Sequence, residues 1–114
     1  MITLFHNPRC GKSREGLVLI EQSGKAFKVV KYLENPPNFE ELTTLITKLQ
    51  QKPIALVRQK ERIWIEHFKG KTLMDVDVIK ALVAHPILIE RPIIIEGNKA
   101  IIGRPIEKII RFLS

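Results

Sequence analysis

The sequence contains few of the residues that cross-link small proteins or bind metals. Among its 114 residues there is one cysteine, Cys10, with one tryptophan and one tyrosine. A single cysteine excludes an internal disulfide. The sequence has no Cys-x-x-Cys motif and no cluster of Cys and His residues, which excludes a structural zinc site, so we expect no metal.

Long apolar stretches are also missing. No apolar run approaches the roughly 18 residues that cross a bilayer. The segment Met1–Pro8 lacks the basic stretch and apolar core of a signal peptide. We therefore expect a soluble cytoplasmic protein that works in the reduced state and does not bind a membrane.

Acidic residues are outnumbered, and the excess positive charge is unevenly placed. The chain carries 19 Lys and Arg against 12 Asp and Glu, a formal net charge of +7. Within residues 1–32 there are six basic and two acidic residues, and Arg9, Lys12 and Arg14 surround Cys10. Aromatic residues are not interleaved with a basic stripe, so nucleic acid is not a predicted partner. The pattern favours an anionic ligand near the thiol.

Hydrophobic periodicity and turn residues predict alternating strands and helices. Asn38 followed by Glu41 is typical of a capping box, and Gly97-Asn98 predicts a tight hairpin turn. The predicted elements in chain order are a strand at 2–5, a helix at 12–23, a strand at 27–33, a helix after residue 38, helical stretches within 53–58 and 59–71, a helix at 73–84 capped by Thr72, strands at 93–95 and 100–102, and a last helix starting at 103–105.

This order predicts an α/β fold. A right-handed crossover makes the first two strands parallel neighbours, whereas the last two form an antiparallel hairpin. The order is that of a thioredoxin-like mixed sheet with an inserted helical subdomain at about 38–86. No linker or repeat interrupts it, so residues 1–114 are predicted to form a single domain.

Cys10 falls in the turn between the first predicted strand and the first predicted helix. A thiol at a helix N-terminus faces unpaired N–H groups and the positive end of the helix dipole. Cysteines so placed have pKa values of about 3.5–7.5 rather than about 8.5, and the same N–H groups can hold an oxyanion. We predict Cys10 as a nucleophile beside an anion site; the alternative is a buried apolar cysteine.

The residue three positions after Cys10 is Ser13 rather than a second cysteine. Any covalent intermediate on Cys10 must therefore be resolved by an external thiol. Ser13 either donates a hydrogen bond to the thiolate or caps the helix. The Cys-x5-Arg motif of low-molecular-weight tyrosine phosphatases is excluded, because Gly16 stands where the arginine is required.

Three arginines outside this turn are candidate anion ligands. Arg91 precedes Pro92 and Arg104 precedes Pro105, at the edges of the predicted hairpin, while Arg58 ends a short apolar run in the insertion. Guanidinium groups bind tetrahedral oxyanions through paired hydrogen bonds, so three converging arginines would hold arsenate or phosphate. A solvated surface arginine is the alternative for each of them.

Five segments, in order along the whole chain, resemble the glutaredoxin-coupled arsenate reductases, within a superfamily that also contains the Spx-type regulators. The segments are His6-Asn7-Pro8-x-Cys10-Gly11-x-Ser13-Arg14, Tyr32–Pro37, Leu56–Arg58, His85–Ile93 and Gly103–Pro105. The resemblance implies a thioredoxin-like fold with a helical insertion, and a cis-proline at Pro92.

The resemblance also implies an activity. Cys10 would attack arsenate, with His6 near the thiolate, and glutathione and glutaredoxin would resolve the adduct to arsenite. No bound cofactor is expected, glutathione acts as co-substrate, and we expect a monomer. The arginines that would hold arsenate are Arg58, Arg91 and Arg104.

Two other functions fit the same residues. An Spx-like adaptor would bind RNA polymerase or another acidic partner through the positively charged surface. A glutathione-dependent reductase would keep the chemistry of Cys10 but act on another substrate, such as a glutathione mixed disulfide.

Overall fold

The computed structural model describes residues 1–114. The strands and helices, in chain order, are β1 (Ile2–Phe5), α1 (Gly11–Ser23), β2 (Phe27–Val30), α2 (Phe39–Leu49), a 3-10 helix (Pro53–Leu56), α3 (Arg62–His67), α4 (Asp75–Ala84), a second 3-10 helix (Pro86–Leu88), β3 (Ile93–Glu96), β4 (Lys99–Ile102) and α5 (Glu107–Leu113). None of the helices is long and apolar enough to span a membrane.

The chain divides into two compact units. One comprises Met1–Asn35 together with Arg91–Ser114, and the other comprises Pro36–Glu90. The second unit is the helical segment between β2 and β3. The assignment of all 114 residues to a single domain, with an insertion at about 38–86, stays a prediction.

The first unit is built on a four-stranded mixed sheet in the order β2-β1-β3-β4. Leu4 of β1 pairs with Val29 of the parallel strand β2 and with Ile94 of the antiparallel strand β3. Leu4 and Ile94 are buried with Ile20 of α1 and Ile109 of α5 in one apolar cluster. The core therefore ties the start of the chain to its last 24 residues, and the predicted α/β class with a mixed sheet is confirmed.

The second unit is helical. Leu42 of α2 and Leu82 of α4 are fully buried. The ring of Trp64 in α3 stacks on that of Phe68, with 5.2 Å between the ring centroids. A single antiparallel bridge joins Val57, directly after the first 3-10 helix, to Ile89, directly after the second.

Several local sequence signals are confirmed. The Asn38 side chain accepts from the Glu41 N–H at 2.8 Å, and the Glu41 carboxylate accepts from the Asn38 N–H at 3.0 Å, which is the predicted capping box. Gly24 ends α1 with a φ of 72°, and Gly97 has a φ of 60° in the β3–β4 turn. Both positions need the left-handed conformation that glycine adopts without strain.

Three element boundaries were predicted wrongly. Strand β2 ends at Val30 because the next residues turn, with the Glu34 N–H donating to Lys31 O at 3.0 Å. Helix α4 begins at Asp75 and not at Leu73, since the Asp77 carboxylate accepts from the Met74 N–H at 2.9 Å and fixes the first turn there.

The third difference concerns the last helix, which begins at Glu107 instead of at residues 103–105. The Arg104 N–H donates to Ile102 O at 2.9 Å, so the chain turns before the helix starts. The Arg104–Pro105 peptide bond is cis, as is Arg91–Pro92, the latter implied by the sequence resemblance.

Candidate active site

The turn between β1 and α1 is closed by two hydrogen bonds that Asn7 accepts. Its backbone O accepts from the Cys10 N–H at 3.0 Å, and its side-chain Oδ1 accepts from the Arg9 N–H at 3.0 Å. Cys10 O then accepts from the Arg14 N–H at 3.0 Å, which begins α1 and leaves Cys10 in the N-cap position. The predicted placement of the thiol at a helix N-terminus is confirmed.

The Cys10 thiol is partly exposed and faces a guanidinium group. Nη2 of Arg104 donates to Cys10 Sγ across 3.3 Å, although the two residues lie 94 positions apart in sequence. Burial raises the pKa of the Cys10 thiol, but the backbone N–H groups of Ser13 and Lys12 and the charges of Arg104 and Arg91 lower it by more. The net pKa lies below the usual value for cysteine, so the thiolate is favoured.

Arg91 and Arg104 are joined through the backbone. Nε of Arg104 donates to Arg91 O at 2.7 Å, which leaves Nη2 to reach the cysteine. Arg91 as a residue is 3% exposed, and its positive charge also acts on Cys10. The structure therefore brings together three of the residues singled out in the sequence: Cys10, Arg91 and Arg104.

His6 and Ser13 form a buried pair beneath the turn. His6 Nδ1 lies 2.7 Å from Ser13 Oγ, and the same Oγ accepts from the Asn7 N–H at 3.0 Å. Burial lowers the pKa of His6, with further lowering by Lys31 and Arg14, so the imidazole is neutral at pH 7. The tautomer of the neutral ring sets which of the two groups donates in this hydrogen bond.

This arrangement changes the expected role of Ser13. Its hydroxyl bridges His6 and Asn7, whereas the group of Ser13 that acts on Cys10 is the backbone N–H. The hydroxyl is therefore neither a helix cap nor a donor to the thiolate. The Ser13 hydroxyl thus joins His6 to the backbone of the cysteine turn, and a thiolate-tuning role for His6 stays a prediction.

Arg58 belongs to the second unit. Its N–H donates to Leu88 O at 2.7 Å, and its Nε lies 3.8 Å from a carboxylate oxygen of Glu90. The positive charge of Arg58 thus has an acidic neighbour within its own unit. Its role in anion binding stays a prediction.

Sequence reasoning missed the structural part played by Asn7, which was not among the candidate site residues. Asn7 is buried and supplies both carbonyl oxygens that shape the cysteine turn. The signal was present, because an asparagine before a proline is typical of a side chain that starts a turn.

The geometry places a cysteine thiol among positively charged groups. The thiolate at a helix N-terminus lies beside one guanidinium and within the field of a second. Nowhere in the chain do three or more His, Cys, Asp or Glu side chains gather as metal ligands. The chemistry available to these side chains is attack by sulphur on an electrophile that carries negative oxygens.

Comparisons with known proteins agree with this geometry. A family model described as the ArsC family matches residues 5–112. An arsenate reductase of Neisseria meningitidis is 42% identical over 110 residues, covering 95% of this chain and 94% of the relative. An arsenate reductase of Haemophilus influenzae is 39% identical over 117 residues, covering 98% of both chains.

A solved structure shows the same fold. The arsenate reductase from Vibrio cholerae superposes with a TM-score of 0.91 at 41% identity, covering 96% of this chain and 95% of the other. The predicted thioredoxin-like fold is thereby confirmed.

Proposed function

This chain belongs to the ArsC family, and from that membership we propose that it is an arsenate reductase using glutathione and glutaredoxin. The observation that carries the proposal is the contact between Cys10 Sγ and the Arg104 guanidinium at the start of α1. The names of the relatives from Neisseria meningitidis and Haemophilus influenzae support arsenate as the substrate.

The first step is attack of the Cys10 thiolate on the arsenic atom. A sulphur–arsenic bond forms, an arsenic–oxygen bond breaks, and the oxygen leaves as water after taking up protons; arsenic stays in the +5 state. Arsenate keeps negative charge on its remaining oxygens, and the arginines proposed to bind them are Arg58, Arg91 and Arg104. The arginine charges and backbone N–H groups that lower the pKa of Cys10 favour the thiolate, which is the nucleophilic form.

The following steps need thiols from outside the chain, because Cys10 has no cysteine partner. Glutathione attacks the arsenic of the adduct, and a second water leaves. The glutaredoxin thiol then attacks the glutathione sulphur, so that a mixed disulfide forms and the electron pair of the broken sulphur–arsenic bond reduces arsenic to the +3 state. Hydrolysis releases arsenite and returns the Cys10 thiol. The sum is one arsenate and two thiols giving one arsenite, one disulfide and one water.

From these steps we also propose the co-substrate, the cellular compartment and the oligomeric state. Glutathione is a co-substrate and no cofactor is bound. Consumption of thiols requires a reducing compartment, which for this chain we propose is the cytoplasm. One chain supplies all the proposed residues, so a monomer suffices.

The test is the oxidation of NADPH in an assay coupled through glutathione reductase. We expect oxidation only when arsenate, glutathione and glutaredoxin are all present, and no oxidation with Cys10→Ser. Arg104→Ala should lose most of the activity, while Arg111→Ala, which removes an exposed arginine of the same unit, should keep it.

Two results would overturn the proposal. Activity that survives Cys10→Ser would exclude the thiolate mechanism. Reduction of a glutathione mixed disulfide by a chain that leaves arsenate untouched would replace arsenate as the substrate.

A further inference from the structure

Two glycines, one in α1 and one just after β4, lie against the same two side chains, Ile109 and Pro92. Gly16 is buried in α1, and Gly103 is buried immediately before Arg104. A Cβ on Gly103 would lie 2.8 Å from both Cγ1 and Cδ1 of Ile109 and 3.1 Å from Cγ of Pro92. A Cβ on Gly16 would lie 3.1 Å from Ile109 Cδ1 and from Pro92 Cγ. Carbon atoms attract best at about 3.5–4.0 Å. A methyl group on Gly103 would therefore force a shift of its neighbours, and one on Gly16 would require its neighbours to give by a few tenths of an ångström.

The residues that would be pushed have little freedom to move. Ile109 is fully buried in the apolar cluster that also contains Ile2, Leu4, Ile20 and Ile94. Protein cores are packed about as densely as organic crystals, so a displaced Ile109 would press on the sheet behind it. A methyl group at position 103 would therefore displace the Gly103 backbone as well.

The Gly103 backbone is tied to both site arginines. The Gly103 N–H donates to Pro92 O at 2.8 Å, and Nε of the following residue, Arg104, donates to Arg91 O at 2.7 Å. A shift of the chain at position 103 therefore moves Arg104 and strains its link to Arg91. Because Arg104 Nη2 contacts Cys10 Sγ at 3.3 Å, such a shift would also change the distance between the guanidinium and the sulphur.

We propose that Gly16 and Gly103 are positioning residues, whose missing side chains let α1 and the segment 103–104 pack on Ile109 and Pro92 so that the Arg104 guanidinium reaches the Cys10 sulphur. Gly103 sets the position of the guanidinium, and Gly16 sets the approach of the helix that begins at Cys10. Neither glycine touches the thiol. Their effect on turnover rests on the proposed function, whereas their effect on the thiol does not.

The test is the pH profile of Cys10 alkylation by iodoacetamide in the full-length chain. With Gly103→Ala we expect the Cys10 pKa to rise by about 0.5 to 1 unit, because a retracted guanidinium stabilises the thiolate less. Gly16→Ala should raise it in the same direction by less. The full profile is needed because a thiolate of higher pKa reacts faster once formed.

Two further variants separate positioning from general loss of packing. Ile20→Ala opens space in the same apolar cluster without adding an atom near Gly103, and it should leave the Cys10 pKa unchanged. Ile109→Ala combined with Gly103→Ala removes both atoms that the new methyl group meets most closely, and it should restore much of the low pKa.

Gly16→Ala keeps the test decisive if Gly103→Ala does not fold, because alanine is favoured over glycine inside a helix. A folded Gly16→Ala variant with an unchanged Cys10 pKa would refute the proposal, as would an Ile20→Ala variant whose pKa rises as much as that of the glycine variants. The alkylation profile needs no arsenate, so it tests the positioning role of the glycines even if the protein does not reduce arsenate. A raised Cys10 pKa in the glycine variants of an inactive protein would support the positioning proposal and refute only the proposed reductase activity.

Discussion

Replacing Arg104 with alanine is expected to raise the pKa of Cys10 by about 1 unit. The substitution removes the guanidinium that donates to the Cys10 sulphur across 3.3 Å. Two unit charges about 4 Å apart interact by about 1 kcal/mol in bulk water and by about 4 kcal/mol at an effective dielectric constant of about 20. Because one pKa unit equals about 1.4 kcal/mol, these limits correspond to shifts of about 0.7 and about 3 units.

The exposure of Cys10 places the expected shift near the lower limit, and other groups preserve part of the pKa depression. Cys10 is partly exposed, so water screens its interaction with Arg104. The backbone N–H groups of Ser13 and Lys12 and the charge of Arg91 also stabilise the thiolate, and they remain after the substitution. The variant should therefore keep part of the pKa depression.

The assay is the rate of Cys10 alkylation against pH, supported by the ultraviolet absorbance of the thiolate. Arg111→Ala serves as the control, because it removes one exposed positive charge from the same unit. A shift with Arg104→Ala that is no larger than the shift with Arg111→Ala would refute the reasoning. Added salt should reduce the difference between the wild type and Arg104→Ala only in part, because the pair is in contact.

Three further predictions concern the turn and the helical unit. The free energy of unfolding should fall as the pH drops below about 6.5, because His6 is protonated more readily in the unfolded chain than in the folded one. Urea unfolding at several pH values should show that this free energy depends less on pH in His6→Gln than in the wild type. An equal pH dependence in the two proteins would contradict the burial of His6 as the cause. Ser13→Ala leaves His6 Nδ1 and the Asn7 N–H without their shared partner and should cost about 1–3 kcal/mol in urea unfolding; a loss below about 0.5 kcal/mol would contradict the bridging role. Asn38→Ala removes the side-chain cap of α2 and should cost about 1 kcal/mol without changing the Cys10 pKa, whereas an unchanged urea midpoint would show that the cap adds no stability.

Signals confined to a few residues predicted most of the fold. The Asn38–Glu41 capping box and the glycines of the turns at 24 and 97 act within three or four residues, so their spacing is readable in the sequence. The predicted end of a helix or strand was wrong where the same residues suit two local structures. A proline suits the first turn of a helix as well as a loop, and Pro105 lies in the loop before α5.

The candidate site was predictable only in part, because its central contact is not local. Cys10 at the start of α1 follows from a strand, a turn and a helix in sequence, but Arg104 reaches it across 94 positions through the order of strands in the sheet. The orientation of the Ser13 hydroxyl depends on the buried neighbours His6 and Asn7. Spacing along the chain carries no information on such orientations.

Protection of Cys10 by arsenate tests the central claim most directly. Alkylation of the wild type at neutral pH should slow as arsenate is added, relative to chloride at equal ionic strength, because the oxyanion occupies the space beside the thiolate. The protection should be strongly reduced in Arg104→Ala and retained in Arg111→Ala. Equal alkylation rates with and without arsenate in the wild type would contradict the account of Cys10 and Arg104 as an arsenate site.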